Sequence, residues 1–253
     1  MRYILAILLV GSTTSVLAQE KPEDTEVWSP APKKVTPAKV QYEAAPSDAV
    51  VLFNGKDEQE WVLTSDRNKP ATWDVKDSLL RVNKSAGNIE TKRLFTNYQL
   101  HIEWRIPDNI SGSGQERGNS GVFLASLGKR NAGYELQILD SYGNDTYING
   151  MAGAIYKEFV PLVNAALKPG EWQVYDVVWM APVFNADGSL QSPAKATVFF
   201  NGVLVQNNVA LTGPTMHTGK PSYKVHGAAP IKLQSHGDKS EPISFRNIWV
   251  REL

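Results

Sequence analysis

The chain has 253 residues, with 26 basic and 26 acidic side chains, zero formal net charge and no cysteine. A balanced charge without a basic stripe argues against nucleic acid or an anionic membrane as partner. The lack of cysteine excludes a disulfide framework and a lipid-anchored cysteine.

Residues 1–18 read as a targeting segment. Arg2 supplies a positive start, Ile4 to Val10 an apolar run, and Val16-Leu17-Ala18 a small-residue cleavage site before Gln19. The apolar run is too short to span a bilayer. The expectation is an exported protein, periplasmic or secreted, with no membrane insertion once the segment is removed. Residues 19–47 are rich in Pro, Lys, Glu and Ala, with Pro22, Pro30, Pro32, Pro37 and Pro46 spread along them. Such a stretch buries too little apolar surface to offset its ordering entropy and is expected to be a flexible linker. Trp28 and Tyr42 are its two candidates for docking on the domain.

Residues 48–253 form the predicted domain, long enough for one core, and they read as strand after strand. Val50 to Phe53 precedes an Asn54-Gly55 turn and Trp61 to Leu63. Trp73 to Val75 and Leu79 to Val82 form a hairpin around Lys76-Asp77-Ser78. Tyr98 to Ile106 is the longest alternating run. Asn119 to Leu124 and Tyr134 to Asp140 follow, then Trp172 to Met180, and Ala196 to Phe200 with an Asn201-Gly202 turn into Val203 to Val205. Ile231 to Gln234 and Ile243 to Val250 end the chain. Val160 to Leu167 is the nearest approach to helical periodicity. The pattern predicts an all-β, two-sheet antiparallel jelly-roll sandwich, with a closed barrel as structural alternative.

Period-two alternation sorts the side chains into faces. Tyr134, Leu136 and Ile138 share one face, Glu135 and Gln137 the other. Leu100, Ile102 and Trp104 oppose His101, Glu103 and Arg105. Gln234 and His236 share a face if that strand persists. These seven polar side chains are expected to line one concave sheet surface. Donors and acceptors on rigid strands suit sugar hydroxyls. Asn119 and Asp140, at the ends of the central strand pair, complete the candidate sugar contacts.

Some chemistries are missing. His101 with Glu103, and Asp140 with Asn144 and Asp145, match no metal-ligand spacing such as His-Glu-x-x-His, so no metal is predicted. Ser120 is not in a nucleophile elbow. No phosphate-binding glycine loop or nicotinamide motif occurs, so no cofactor is predicted. The Glu-x-Asp-x-x-Glu pattern of retaining β-glucanases is absent too: Gln137 stands two positions after Glu135, and Asp140 stands where the second glutamate would be.

The chain resembles the 3-keto-disaccharide hydrolase domain family. The resemblance rests on Leu52-Phe53-Asn54-Gly55 with Trp61, Leu100 to Arg105, Gly118 to Phe123, Tyr134 to Asp140, Gly153 to Tyr156, Gly170-Glu171-Trp172, Phe200-Asn201-Gly202, Leu233 to Gly237 and Phe245 to Ile248. Ala125-Ser126 after Leu124, and the long insert Ala181 to Lys195, depart from the family pattern. The resemblance implies a concanavalin A-like jelly roll and a carbohydrate substrate, a 3-keto-disaccharide or glycoside.

A keto group at C3 acidifies the proton on C2, whose removal lets the glycosidic oxygen leave C1 by elimination; direct hydrolysis is the other route. Either needs proton transfer and donors for developing charge. Glu135 or His236 are the first candidates for the proton transfers, His101 and Glu103 the second, and Arg105, Gln137 and Gln234 are candidate donors. Two other functions fit the same residues: a non-catalytic carbohydrate-binding module, and a tethered interaction domain.

Overall fold

A computed structural model describes residues 21–38 and 44–253. The targeting segment and Tyr42 lie outside the described residues. The domain is a jelly-roll sandwich of two antiparallel sheets. The larger sheet orders its strands as Val203–Ala210, Lys195–Phe200, Trp172–Met180, Tyr98–Arg105, Ser244–Glu252, Leu79–Arg81 and Asp74–Lys76, with Val50–Phe53 also on Ser244–Glu252. The smaller orders them as Gly133–Ile138, Ser120–Ser126, Lys232–Leu233, Ile89–Thr91, Trp61–Leu63 and Asp66–Pro70.

Alternation in the sequence becomes layering. Tyr98, Leu100, Ile102 and Trp104 from the larger sheet meet Val122, Leu124, Tyr134, Leu136 and Ile138 from the smaller in one core. Trp104 stacks on Phe200 at 5.7 Å between ring centroids. Two tyrosines reach across: the Tyr98 hydroxyl donates to the Leu124 carbonyl and the Tyr175 hydroxyl to the Gln137 carbonyl, both at 2.6 Å. Burial raises the pKa of both phenols far above its ordinary value, so each remains a donor.

The turns follow their chemistry. Asp77 and Ser78 have φ of 53° and 60°, and Asn201 and Gly202 have 52° and 77°, the two positive φ values of a type I′ hairpin turn. Val160 to Leu167 is not helical; it holds the short strand Val163–Asn164. The insert 181–195 carries a hairpin of Val183–Phe184 with Leu190–Ser192, and Phe184 packs edge-on against Tyr223.

Residues 21–38, expected as a flexible linker, instead lie on the domain. Pro22–Thr25 forms a 3-10 turn, and Lys33–Lys34 pairs in parallel with Val163–Asn164. Backbone and amide hydrogen bonds to Ile148 and Asn149 hold Val27. Anchoring through backbone groups leaves no hydrophobic signature in the sequence, which explains the difference.

Tyr98→Phe keeps the ring but strips the Leu124 carbonyl of this donor. The expected cost is about 1–2 kcal/mol, read as a lower urea midpoint at unchanged slope.

Candidate functional site: a cavity over the outer face of the smaller sheet

Gly133–Ile138 is the strand at one end of the smaller sheet, where its neighbour is Ser120–Ser126. Its other edge is covered by residues 153–156: the Tyr156 N–H donates to the Glu135 carbonyl at 3.0 Å, and the Gln137 N–H to the Ala154 carbonyl at 2.9 Å. This cover turns an exposed edge into the floor of a site. Tyr134, Leu136 and Ile138 enter the core, so Glu135 and Gln137 must point outward. Segments 115–119, 147–156 and 215–217 fold over them, and Glu135 is only 5% exposed. The result is a cavity of about 370 Å³, with Glu135, Gln137, Gln234, His236, Asn119 and the Tyr147–Tyr156 pair in its walls.

The register explains how Glu135 fits. Glu135 lies opposite Phe123 and Gln137 opposite Gly121 on the neighbouring strand. A Cβ on Gly121 would collide with the Glu135 carboxyl oxygen Oε1, so glycine makes the space in which that carboxyl sits. Among the described residues no hydrogen bond reaches the Glu135 carboxyl. Burial pushes its pKa up from 4.5 to about 8, against the opposing pull of Lys232. Lys232 is itself fully buried and donates to the carbonyls of Gly128, Arg130 and Ala132. Burial lowers its pKa to about 8, offset in part by Glu90 and Glu135.

His236 is held differently. Its Nδ1 lies 2.7 Å from Asp238 Oδ2, and Asp238 also accepts from Lys84 Nζ at 3.0 Å and the Ser240 N–H at 2.8 Å. Burial alone would raise the Asp238 pKa, but hydrogen bonds from His236, Ser240 and Lys84 hold it far below the carboxylate range. A carboxylate so fixed puts the imidazole proton on Nδ1 and leaves a lone pair on Nε2. Two further groups complete the polar lining. Among the described residues the buried amide oxygens of Gln137 and Gln234 have no hydrogen-bond partner, and each wants a donor. The Tyr147 and Tyr156 hydroxyls are 2.6 Å apart. Burial raises both phenols, Tyr156 to about 12 and Tyr147 higher, so both are neutral hydroxyls near neutral pH.

The expectation of seven polar side chains on one surface is corrected here. His101, Glu103 and Arg105 project from the outer face of the larger sheet, on the opposite side of the core from Glu135. They belong to a separate network. His101 Nδ1 is 2.7 Å from Asp176 Oδ1, and its ring stacks on Trp249 at 5.1 Å. Glu103 accepts from Arg246 Nε at 2.6 Å and Asn247 Nδ2 at 2.9 Å. Burial would raise the Glu103 pKa, but hydrogen bonds from His101, Asn247 and Arg246 bring it down to about 2. For His101 burial lowers the pKa and the bonds to Asp176 and Glu103 raise it, with a net rise. Arg105 and Arg246 lie over the Trp172 ring at 4.7 and 4.0 Å. Such a group is a saturated ion network. Asp140 is also outside the cavity lining: it accepts from Arg117 Nε at 2.6 Å and from the Tyr142 N–H, and so ties down its own loop.

Several lining residues were not singled out from sequence: Gln115, Tyr147, Thr215, His217 and, behind His236, Asp238. Only the last left a readable signal, in the His-x-Asp spacing of 236 and 238. Among the described residues no group of three or more histidine, aspartate and glutamate side chains is arranged to hold a metal ion.

Unpartnered amide oxygens, neutral hydroxyls and a carboxyl whose pKa burial raises surround one cavity of the sandwich, a lining suited to a ligand rich in hydroxyl groups. A family model described as the 3-keto-alpha-glucoside-1,2-lyase-like domain matches residues 48–251, and the chain belongs to this family. A solved structure from Parabacteroides distasonis ATCC 8503, provisionally classed as a glycosyl hydrolase, is 50% identical, covers 91% of this chain and 96% of its own, and superposes with a TM-score of 0.78. Two others from that organism, classed in the same provisional way, are 19% and 22% identical. They cover 81% and 76% of this chain and 94% and 99% of their own, with TM-scores of 0.57 and 0.51, and show the fold alone. No curated protein matches. At the level of class, the chain is glycosidase-like.

Gly121→Ala must push the Glu135 carboxyl aside. Since a flexible side-chain end yields rather than backbone, the melting temperature is expected to move by only a few degrees. The Glu135 pKa should fall from about 8 toward 4.5 as the carboxyl gains water, which carboxyl-labelled NMR titration would follow.

Proposed function

We propose that this protein cleaves the glycosidic bond of 3-keto-glycosides, disaccharides among them, by elimination across C1 and C2 of the oxidised sugar, with export directed by residues 1–18. The observation that carries the reading is the pairing, in one cavity, of a carboxyl raised to about 8 with an imidazole whose Nδ1 is fixed by Asp238. A protonated carboxyl can serve as the acid, and an imidazole oriented through Nδ1 offers Nε2 as the base.

In this reading His236 Nε2 takes the proton from C2, which the C3 carbonyl has made acidic. The electron pair moves to the C3 oxygen as an enolate, then returns to form the C1–C2 double bond as the C1–oxygen bond breaks. Protonated Glu135 supplies the proton to the departing oxygen. Water added across the double bond would complete net hydrolysis. The Gln137 and Gln234 amides and Asn119 meet the sugar hydroxyls, and the orphaned amide oxygens of the two glutamines supply acceptors for this purpose. The Tyr147 and Tyr156 hydroxyls are available to donate to the enolate. This scheme needs one acid and one base, so the lack of a second opposed carboxylate is no obstacle.

The family description supports the keto-glucoside substrate, and the same cavity would serve a binding module. Incubation of the protein with 3-keto-trehalose and with trehalose in deuterated water separates the two. Cleavage of the keto sugar alone, with deuterium entering at C2, is expected; binding without cleavage of either would leave the module. Glu135→Gln should lower kcat at least 100-fold, since general acid catalysis contributes about 10²–10⁴.

The pH dependence has a definite sign. An acid must be protonated to act, so kcat/KM should fall as pH rises through about 8. Stability follows the same direction. The folded pKa lies above the ordinary 4.5, so the stabilisation Glu135 gives is complete below 4.5 and is lost as pH rises through about 8. Glu135→Gln should therefore be at least as stable as the wild type at pH 9 in thermal unfolding. A kcat/KM profile flat through pH 8 would remove Glu135 from the acid's role.

A further inference from the structure

We infer that the N-terminal arm, residues Pro22 to Trp28, completes the cavity as a second sugar subsite, with the indole of Trp28 stacking on the ring at the far side of the scissile bond. The inference rests on the carbohydrate reading above, and it concerns residues ahead of the 48–251 segment that the family model matches.

The arm is fastened to residues next to the cavity wall. The Val27 N–H donates to Asn149 Oδ1 at 3.0 Å, Asn149 Nδ2 donates to the Thr25 carbonyl at 2.9 Å, and the Ile148 N–H donates to the Val27 carbonyl at 2.6 Å. These residues adjoin Tyr147, which lines the cavity. Lys157 Nζ bridges the carbonyls of Pro22 and of His217, a second lining residue. The arm thus joins two separate parts of the rim.

Trp28 is placed by these bonds. Its ring meets that of Tyr147 edge-on, with centroids 6.1 Å apart and planes at 71°, and its Nε1–H donates to Glu26 Oε2 at 3.3 Å. Both contacts fix the indole's orientation, yet the residue remains 59% exposed. A tryptophan that served only to anchor the arm would be expected to bury its large apolar surface. This one is anchored by its neighbours and leaves much of that surface exposed while touching Tyr147, a residue of the cavity wall. One face of a pyranose ring carries mainly C–H groups, and an aromatic face of fixed orientation gives that surface contact area at little entropic cost. The cavity floor supplies the hydrogen bonds for one sugar, and the indole supplies the apolar platform for the next.

The test compares binding of a two-ring and a one-ring sugar to the full chain, with trehalose and methyl α-glucoside as probes in calorimetric titration. Neither probe carries a keto group, so the result does not depend on cleavage, and failure of the proposed reaction would leave it readable. The wild type should bind trehalose more tightly than methyl α-glucoside. In Trp28→Ala the ratio of the two affinities should fall about fivefold or more, and Trp28→Phe, which keeps an aromatic face, should recover most of it. A ratio unchanged in Trp28→Ala, or a wild type that binds trehalose no better than methyl α-glucoside or binds neither, would overturn the inference.

Discussion

Two phenolic hydroxyls that cross the core set the relation on which the site depends. Tyr98 and Tyr175 stand on adjacent strands of the larger sheet and bond to carbonyls of adjacent strands of the smaller one, at Leu124 and Gln137. The hydrophobic contacts between the sheets are non-directional and would tolerate sliding. A hydrogen bond from a fully buried tyrosine tolerates little, because a shifted register would leave a buried donor and acceptor unpaired. The residue so held is Gln137 itself, two positions from Glu135 on the same strand. The geometry of the cavity floor is therefore set from the opposite side of the core.

The two outer faces of the sandwich carry similar side chains with opposite behaviour. Glu103 is ringed by Arg246, Asn247 and His101 and is held ionised, with a pKa of about 2. Glu135 is also buried, has a lysine near and, among the described residues, no hydrogen bond to its carboxyl, and is raised to about 8. Burial penalises the charge in both cases, and the hydrogen-bond partners decide which way the balance falls. One face therefore holds a structural ion network, and the other a carboxyl able to give up a proton near neutral pH.

Cover over the smaller sheet matters as much as the strands. Tyr147 and Tyr156 from this cover help wall the cavity that holds the Glu135 carboxyl, whose burial raises its pKa. The same cover satisfies the strand's free backbone edge, through the bonds of Gly153, Ala154 and Tyr156 to Glu135 and Gln137. The arm bonds to this cover through Thr25 and Val27, at Asn149 and Ile148.

The sequence by itself determined the strands, their inward and outward faces and the turns. Period-two alternation and Asn-Gly or Asp-Ser pairs are local signals of local structure, and Tyr98 to Arg105 or Trp172 to Met180 could be read almost to the residue. It also placed Glu135 with Gln137, because the two share one strand; the strand Lys232–Leu233 ends before Gln234 and His236, which reach the cavity from the loop that follows it. Only the tertiary structure decided which strands share a sheet. His101, Glu103 and Arg105 alternate just as Glu135 and Gln137 do, and alternation says that a side chain points away from the core without saying to which side of it. Asp140, Tyr147 and the docked arm were beyond reach for a related reason. Their positions come from loop hydrogen bonds between distant residues, such as Arg117 with Asp140 and Asn149 with Thr25, and such bonds leave no periodic trace along the chain.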